Sequence, residues 1–261
     1  MTDAPYAPAP GAAPYSRMVM AQTRLETSLI LRNGEQLLLT LIIPLVLLAL
    51  LAGTDLVDIS GSAGGTDADP VAVAVAGVLT VAVMSTAFTG LAIATGFERR
   101  YGVLRRLAVT PLPRSALLLG KALAVLAVEV VQVLLIVGLG LLLGWSGEAS
   151  WPGVVLLVLV GTAAFAGLGM LMAGTLRAEA TLAAANLVYI LLLVAGAALV
   201  PVSRYPEAVQ PVLAALPSGA LGEGLRAVLV DGGGLPWAQV GILAVWAVLG
   251  LGMAARWFRW E

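Results

Sequence analysis

The sequence predicts an all-α integral membrane protein, and three observations carry that prediction. Hydrophobic residues make up 60 % and charged residues 11 % of the 261, whereas soluble domains use about 25 % charged residues. Six apolar runs, at about 37–54, 71–97, 122–144, 152–176, 181–200 and 237–255, are long enough to cross roughly 30 Å of hydrocarbon, which takes about 20 residues. No polar stretch is large enough to fold alone as a soluble domain.

The chain has no cysteine and no histidine. The first absence removes disulfides, thiol catalysis and thiolate metal sites. The second removes imidazole, on which haem sites, most transition-metal sites and hydrolases buried in the bilayer depend. Ser85 and Thr86 therefore have no base at depth to activate them. The formal net charge of −1 supplies no bulk field that would recruit nucleic acid, and no such partner is expected.

Taken in order, residues 1–15 are rich in Pro and Ala without periodicity and read as a disordered tail. Residues 16–261 read as one transmembrane domain. The first apolar run begins only at Leu37, so no secretory signal is expected. From Ser16 to Gln36, Met18, Leu25, Leu29 and Ile30 alternate with Arg17, Arg24, Glu26, Arg32 and Glu35. That pattern predicts an amphipathic helix at the cytoplasmic interface. Pro44 falls inside the first span and should kink it, which a membrane helix tolerates when a neighbour satisfies the freed carbonyl. The loop over 55–70 carries Asp55, Asp58, Asp67 and Asp69 among Gly and Ser; this is solvated outer loop, with no ligand cage for a cation.

Residues 96–121 hold six of the fourteen basic residues between two apolar runs. Leu104, Leu107 and Ala108 recur at helical spacing while Arg99, Arg100, Arg105 and Arg106 cover the other faces, which predicts a short amphipathic helix. Thr110-Pro111-Leu112-Pro113 ends it, and Ser115 stands where the next helix can start. Read alone, such a loop is either a topology anchor or a docking element. Counting Lys and Arg with both termini inside puts 12 on the cytoplasmic segments and 2, Arg204 and Arg226, on the outer ones. That asymmetry places both termini and the basic loop in the cytoplasm of a multi-pass cell-membrane protein.

Residues 201–236 are too broken by proline to span and too apolar for a free loop. Two short helices meeting near Pro217 and Ser218 and re-entering the membrane satisfy both facts, provided protein covers their backbone; a surface hairpin is the plainer alternative. Glu129 is the only acid inside a predicted span and lies about two turns, roughly 12 Å, from Lys121. Function is the default hypothesis for such an acid, and a structural contact with Gln132 is the alternative. Asn186 and Tyr189 could bond a ligand on the pathway or glue helices together. The small residues of the third and fourth spans, Gly161 and Gly167 among them, suit close packing within the chain or a dimer seam.

The order Glu98, a basic pair, Gly102, a Leu-and-Arg turn, Thr110-Pro111-Leu112-Pro113 and Gly120-Lys121 resembles the first cytoplasmic loop of type-2 ATP-binding-cassette (ABC) exporter permeases, including the daunorubicin-resistance-like transmembrane subunits. Arg32-Asn33-Gly34-Glu35-Gln36 before the first span and the outer stretch before the last are similar to the same family. The resemblance covers Ser16 to Glu261; the Pro-rich tail is extra, and Arg105-Arg106 replace a mixed acidic and basic pair. It implies six spans, an N-terminal interfacial helix, a cytoplasmic coupling helix (Glu98, Arg99, Arg100, Leu104, Arg105, Arg106, Leu107) that docks on an ATPase, and an outer re-entrant pair gating the pathway at Pro217 and Ser218. It further implies an ABC ATPase subunit and a second permease subunit as partners, with membrane lipid around them. The chain lacks the G-x-x-x-x-G-K-[ST] phosphate loop. It is therefore expected to be no enzyme itself and to bind no cofactor, with ATP and Mg on the ATPase. The implied activity is export of an amphipathic drug-like molecule or lipid. Rival readings are a proton-coupled carrier using Glu129, disfavoured by the absence of internal repeats, and a polysaccharide or glycoconjugate exporter of the same family.

Overall fold

The computed structural model describes residues 12–53, 69–146, 149–230 and 232–258, and these residues form helices with no strand among them. In order they are α1 (Tyr15–Arg32), α2 (Gly34–Gly53), α3 (Pro70–Val83), a π-helical segment (Met84–Gly90), α4 (Leu91–Arg100), α5 (Val103–Ala108), α6 (Arg114–Leu142), α7 (Trp151–Thr175), α8 (Ala178–Ala195), a 3₁₀ turn (Val202–Arg204), α9 (Gln210–Ala215), α10 (Pro217–Leu229) and α11 (Trp237–Trp257). The tail up to residue 11, the loop acids Asp55, Asp58 and Asp67, and Arg259 with Trp260 lie outside the described residues.

α3, the π segment and α4 form one rod of 31 residues, Pro70–Arg100, and the other elements are arranged around it. Asp69 caps its start by accepting from the Val71 amide at 2.9 Å. Ala and Val fill the buried faces of α3, so α2, α6, α7 and α10 pack closely on it, while α4 meets α7 and α8. On the far side of α7, α11 crosses at Gly167 and Gly250. A Cβ added at Gly167 would stand 2.6 Å from the Leu251 nitrogen, so only glycine permits this approach. The small residues of the fourth span are thus used inside the chain.

Five segments, 36–53, 70–100, 114–142, 151–175 and 237–257, are long and apolar enough to cross a membrane. The fifth expected span, 181–200, is shorter than the sequence indicated: α8 stops at Ala195. Its 18 residues rise about 27 Å. Ala197 turns to φ +52, and the Arg226 guanidinium takes up the Ala197 and Ala198 carbonyls at 3.0 and 3.4 Å. Pro201, four residues after Ala197, has no N–H to bond the Ala197 carbonyl, and the guanidinium satisfies it instead.

Pro44 has the compensation its position demands. A proline cannot donate to the carbonyl four residues back, and Gln132 of α6 donates to that Thr40 carbonyl at 2.9 Å. Gln132 also accepts from Thr86 of the π segment at 3.2 Å, so one side chain ties three elements. The expected contact between Glu129 and Gln132 is replaced by this arrangement.

α9 and α10 meet at Leu216–Pro217, as expected for a helical pair around Pro217 and Ser218. The pair runs back among the spans. Val228, Leu221 and Leu157 abut Gly153, Gly161 and Gly224 respectively, and Trp246 donates to the Ala215 carbonyl at 2.9 Å. Trp246 lies nine residues, about 14 Å, along α11. Pro217 and the rest of the first turn of α10 are buried, while Val212 and Ala215 of α9 are exposed.

Candidate functional site

The basic loop is built on α4, α5 and the first turns of α6. Gly102 makes the turn from α4 into α5 at φ +72, a conformation glycine adopts freely. Two arginines on α4 then fasten the loop sideways. Arg99 donates to the Leu176 carbonyl at the end of α7, and Arg100 pairs with Glu179 on the first turn of α8.

The expectation that Leu104 and Leu107 reach into a partner is corrected. Leu104 is 0 % exposed within the chain's own core, and Leu107 packs half-buried against the same cluster. An amphipathic helix this short turns its leucines inward because the bundle beneath offers the nearest apolar surface. What α5 and its flanks present outward is Arg105 and Arg106 together with Tyr101, Val103 and Val109.

Glu98 is also placed inside. Lys121 of α6 is 1 % exposed and holds Glu26 of α1 and Glu98 of α4 at 2.7 Å each, while Gln22 donates to Glu26 at 2.7 Å. The approach of α1 depends on Gly120, where a Cβ would meet the Gln22 side chain at 2.7 Å. The side of α1 that meets α6 is Val19, Gln22 and Glu26, while Met20, Leu25 and Leu29 face away from the bundle. An ammonium this deep is tolerable only when paired and hydrogen-bonded. Here one cation joins three helices at the base of the basic loop.

Beside this junction lies a cleft of about 330 Å³ bounded by α1, α2, the π segment, α4 and α6. Ser85, Thr86 and Thr89 line it from the π segment, Gln36 and Asn33 from the α1–α2 turn, and Glu26, Glu98 and Lys121 from its end. Single π turns inside long helices are frequent at functional sites. This one sets the hydroxyls of Ser85, Thr86 and Thr89 on the cleft while Phe88 is buried.

The expected pathway residues are not brought together. Tyr189 reaches the cleft region through a hydrogen bond with Ser85. Asn186 is exposed on α8 and donates to the Leu182 carbonyl of its own helix at 2.9 Å. Glu129 is 1 % exposed between α6 and α7, where Thr162 donates to one carboxyl oxygen and the other has no protein partner. It does not line the cleft. Pro217 and Ser218 are buried at the start of α10, with Ser218 against Gly196.

Two features escaped the sequence reading. The Lys121 junction was missed because the third span was begun at residue 122; started at Arg114, where α6 begins, it would have contained a lysine requiring a partner. The polar face Gln22 and Glu26, spaced i and i+4, was the matching signal on α1. The second is a tie between the 3₁₀ turn and α10, in which Arg226 pairs with Glu223 at 2.8 Å and Glu223 accepts from the Val202 amide at 2.9 Å. No group of three or more potential metal ligands occurs among the described residues.

Residues 65–256 match the family model described as ABC-2 family transporter protein. Comparison with curated proteins gives no match.

Proposed function

Because this chain belongs to the ABC-2 transporter family, we propose that it is the transmembrane permease subunit of an ATP-driven exporter, moving an amphipathic cargo outward with energy from a separate ATPase subunit. The observation that carries this reading is the construction of the basic loop. Its base is fixed by Lys121 and by the arginine contacts to α7 and α8, so a push on α5 is transmitted to α1, α4, α6 and α8 together. Its outer face keeps Arg105, Arg106 and Val109 exposed, a surface of charges around an apolar contact that suits a partner protein.

In this proposal the protein crosses the cell membrane six times, α8 making the fifth crossing, with both termini cytoplasmic and the α9–α10 pair closing the outer side. ATP and Mg belong to the ATPase. The large apolar faces left exposed on α2 (Ile42, Ile43, Val46) and α8 (Leu187, Ile190, Val194) are covered by lipid and by a second permease subunit. The cargo is a drug-like molecule or lipid, since the cleft walls combine hydroxyl and apolar groups. A glycoconjugate would call for a longer run of polar and aromatic groups than the cleft provides.

The orientation has a direct test. With single cysteines at the exposed positions Glu207 and Arg105, an impermeant thiol reagent added to intact cells should label position 207 and leave position 105 unlabelled. Labelling of 105 from outside inverts the topology and with it the direction of transport.

Glu129→Gln separates the energy sources. A proton-coupled carrier using Glu129 would lose driven transport with this variant, because the ionisable proton is gone and the shape is kept. With Glu129 sealed between α6 and α7, transport by the ATPase-bearing complex should stay within about twofold of the parent, as expected for a substitution with no effect on the transition state for transport. Abolished transport with undiminished ATP hydrolysis would favour the proton-coupled mechanism.

A further inference from the structure

The π segment separates two clefts. Ser85, Thr86 and Thr89 line the first, and Phe88 lines a second, of about 410 Å³, walled by α7, α8, the α9–α10 junction and α11. Met172 and Thr175 bring in the end of α7, and Val188 and Leu192 the end of α8. These helices follow one another across the short turn Leu176–Arg177, so their two ends lie toward opposite faces of the membrane. Leu192 stands 14 residues beyond Ala178, about 21 Å, whereas one leaflet of hydrocarbon is roughly 15 Å thick. Pro217 and Trp246 bound the deep end, at the junction proposed to close the outer side. The wall offers no free donor: the Trp246 indole donates to the Ala215 carbonyl at 2.9 Å, and the Thr175 hydroxyl to the Leu171 carbonyl at 2.8 Å. Water settles in a cavity only with two to four polar partners, and a buried charge would have none. What fills this cleft is hydrocarbon. Its mouth differs in kind. At Leu176 the cleft adjoins a basic pocket of about 320 Å³ lined by Arg99, Arg100 and Arg177 with Glu179; Arg99 donates to the Leu176 carbonyl, and Arg177 is the next residue. Three guanidiniums against one carboxylate leave this pocket net positive, and Arg177 makes no ion pair among the described residues.

Resting on the permease reading, which sets the orientation, we propose that these adjoining spaces bind an amphiphile with an anionic head, carboxylate or phosphate, as cargo from the cytoplasmic leaflet. The head sits among Arg99, Arg100 and Arg177, whose planar forks match either oxyanion; basic pockets at the cytoplasmic ends of spans recognise such heads. The tail runs along Met172 and Phe88 to end beneath Pro217. A volume of about 410 Å³ is at the small end of the roughly 300–1,000 Å³ of ligand sites, which suits one tail. A free anion gains only the pocket, and a neutral hydrocarbon only the cleft. Because the deep end abuts Leu216 and Pro217, the tail already stands at the outer gate before the head moves.

The test uses the full chain in phosphatidylcholine nanodiscs and two photoreactive palmitates, one with a diazirine at the tail end and one with a diazirine beside the carboxylate. Peptide mass spectrometry locates the adducts. The tail-end reagent should label Leu192, Pro217 and Trp246, and the carboxyl-end reagent Met172 to Leu176. Excess palmitate should compete both away, hexadecanol should compete less well, and inorganic phosphate should not compete. Arg177→Glu should lower palmitate labelling about twofold or more, since an exposed charge contact is lost, and leave a tail-end diazirine hexadecanol unaffected. Val188→Trp fills the cleft, whereas Met172→Gln adds an amide to its wall with little change in bulk. Both should abolish the Trp246 adduct, and Leu187→Trp, on the exposed side of α8, should keep it. Adducts no more abundant at Trp246 than at Leu187, exchanged positions of the two reagents, hexadecanol competing as well as palmitate, or a Trp246 adduct persisting in both cleft variants would each overturn the proposal. Capture of a co-expressed ABC ATPase is scored on the same preparations. Weaker capture by Arg177→Glu with palmitate labelling unchanged would make the pocket a partner contact and overturn it too. Loss of selective labelling with the ATPase still bound removes the cargo assignment alone, and selective labelling without any ATPase removes the permease reading alone.

Discussion

Replacing Lys121 by Met should destabilise the protein by about 3–5 kcal/mol, the cost typical of removing one partner from a buried charge pair. Lys121 has almost no exposed surface and holds two carboxylates at 2.7 Å. Methionine fills a similar volume but leaves Glu26 and Glu98 facing each other without a cation. The first consequence should be release of α1, whose buried side depends on Gln22 and Glu26. Protease sensitivity of the segment before residue 33 should rise before the spans unfold. Adding Glu26→Gln and Glu98→Gln to Lys121→Met should recover most of the loss, because the uncompensated charge is then gone. Unfolding temperature in detergent measures both effects, and a single variant as stable as the parent would show that the junction carries no net energy.

Gly167→Leu should cost about 3 kcal/mol or more, at or above the upper end of overpacking penalties. The nearest atoms to a Cβ there are backbone atoms of Gly250 and Leu251 at 2.6–2.8 Å. A flexible side chain could swing away, but a helix backbone cannot, so α7 and α11 must separate along their length. Gly138→Leu is the control, since a Cβ at that position meets nothing within 4 Å. Equal unfolding temperatures for the two variants would mean that the α7–α11 crossing does not hold the bundle together.

The helices were readable because hydrocarbon imposes one rule on every span. Runs of about 20 apolar residues mark where the chain crosses, and the start of α7 at Trp151 and of α11 at Trp237 follow the sequence boundaries closely. The end of α8 was not readable in this way. Leu199 and Val200 are as apolar as the helix before them, so hydropathy runs on past the stop; Gly196 caps α8, Pro201 has no N–H to offer the Ala197 carbonyl, and the Arg226 guanidinium bonds that carbonyl instead.

The basic loop shows the same division. Its position and its helix were legible from charge and periodicity, whereas the turn at Gly102, which leaves Arg99 and Arg100 on α4 and off α5, was not. Which face of α5 points inward was not, since an amphipathic pattern fixes the apolar face without saying whether the chain's own bundle or a partner receives it. Leu104 went to the bundle. Gln132 is the opposite case: Pro44 announced a carbonyl in need of a donor, and only three-dimensional proximity could identify Gln132 as that donor.

The central claim is that the outer face of the basic loop receives an ATPase. It is tested most directly by capturing a co-expressed ABC ATPase from the same gene neighbourhood on the tagged permease, parent against the double variant Arg105→Glu with Arg106→Glu. Both side chains are exposed, so their reversal should leave the unfolding temperature unchanged. Leu104→Ala would give no such separation, because Leu104 belongs to the core. The account predicts that the parent retains the ATPase and that the charge-reversed loop binds it about tenfold more weakly or worse, since like charges are placed against the acids of the partner's rim. Equal capture by parent and variant would contradict it and leave the loop as a topology anchor.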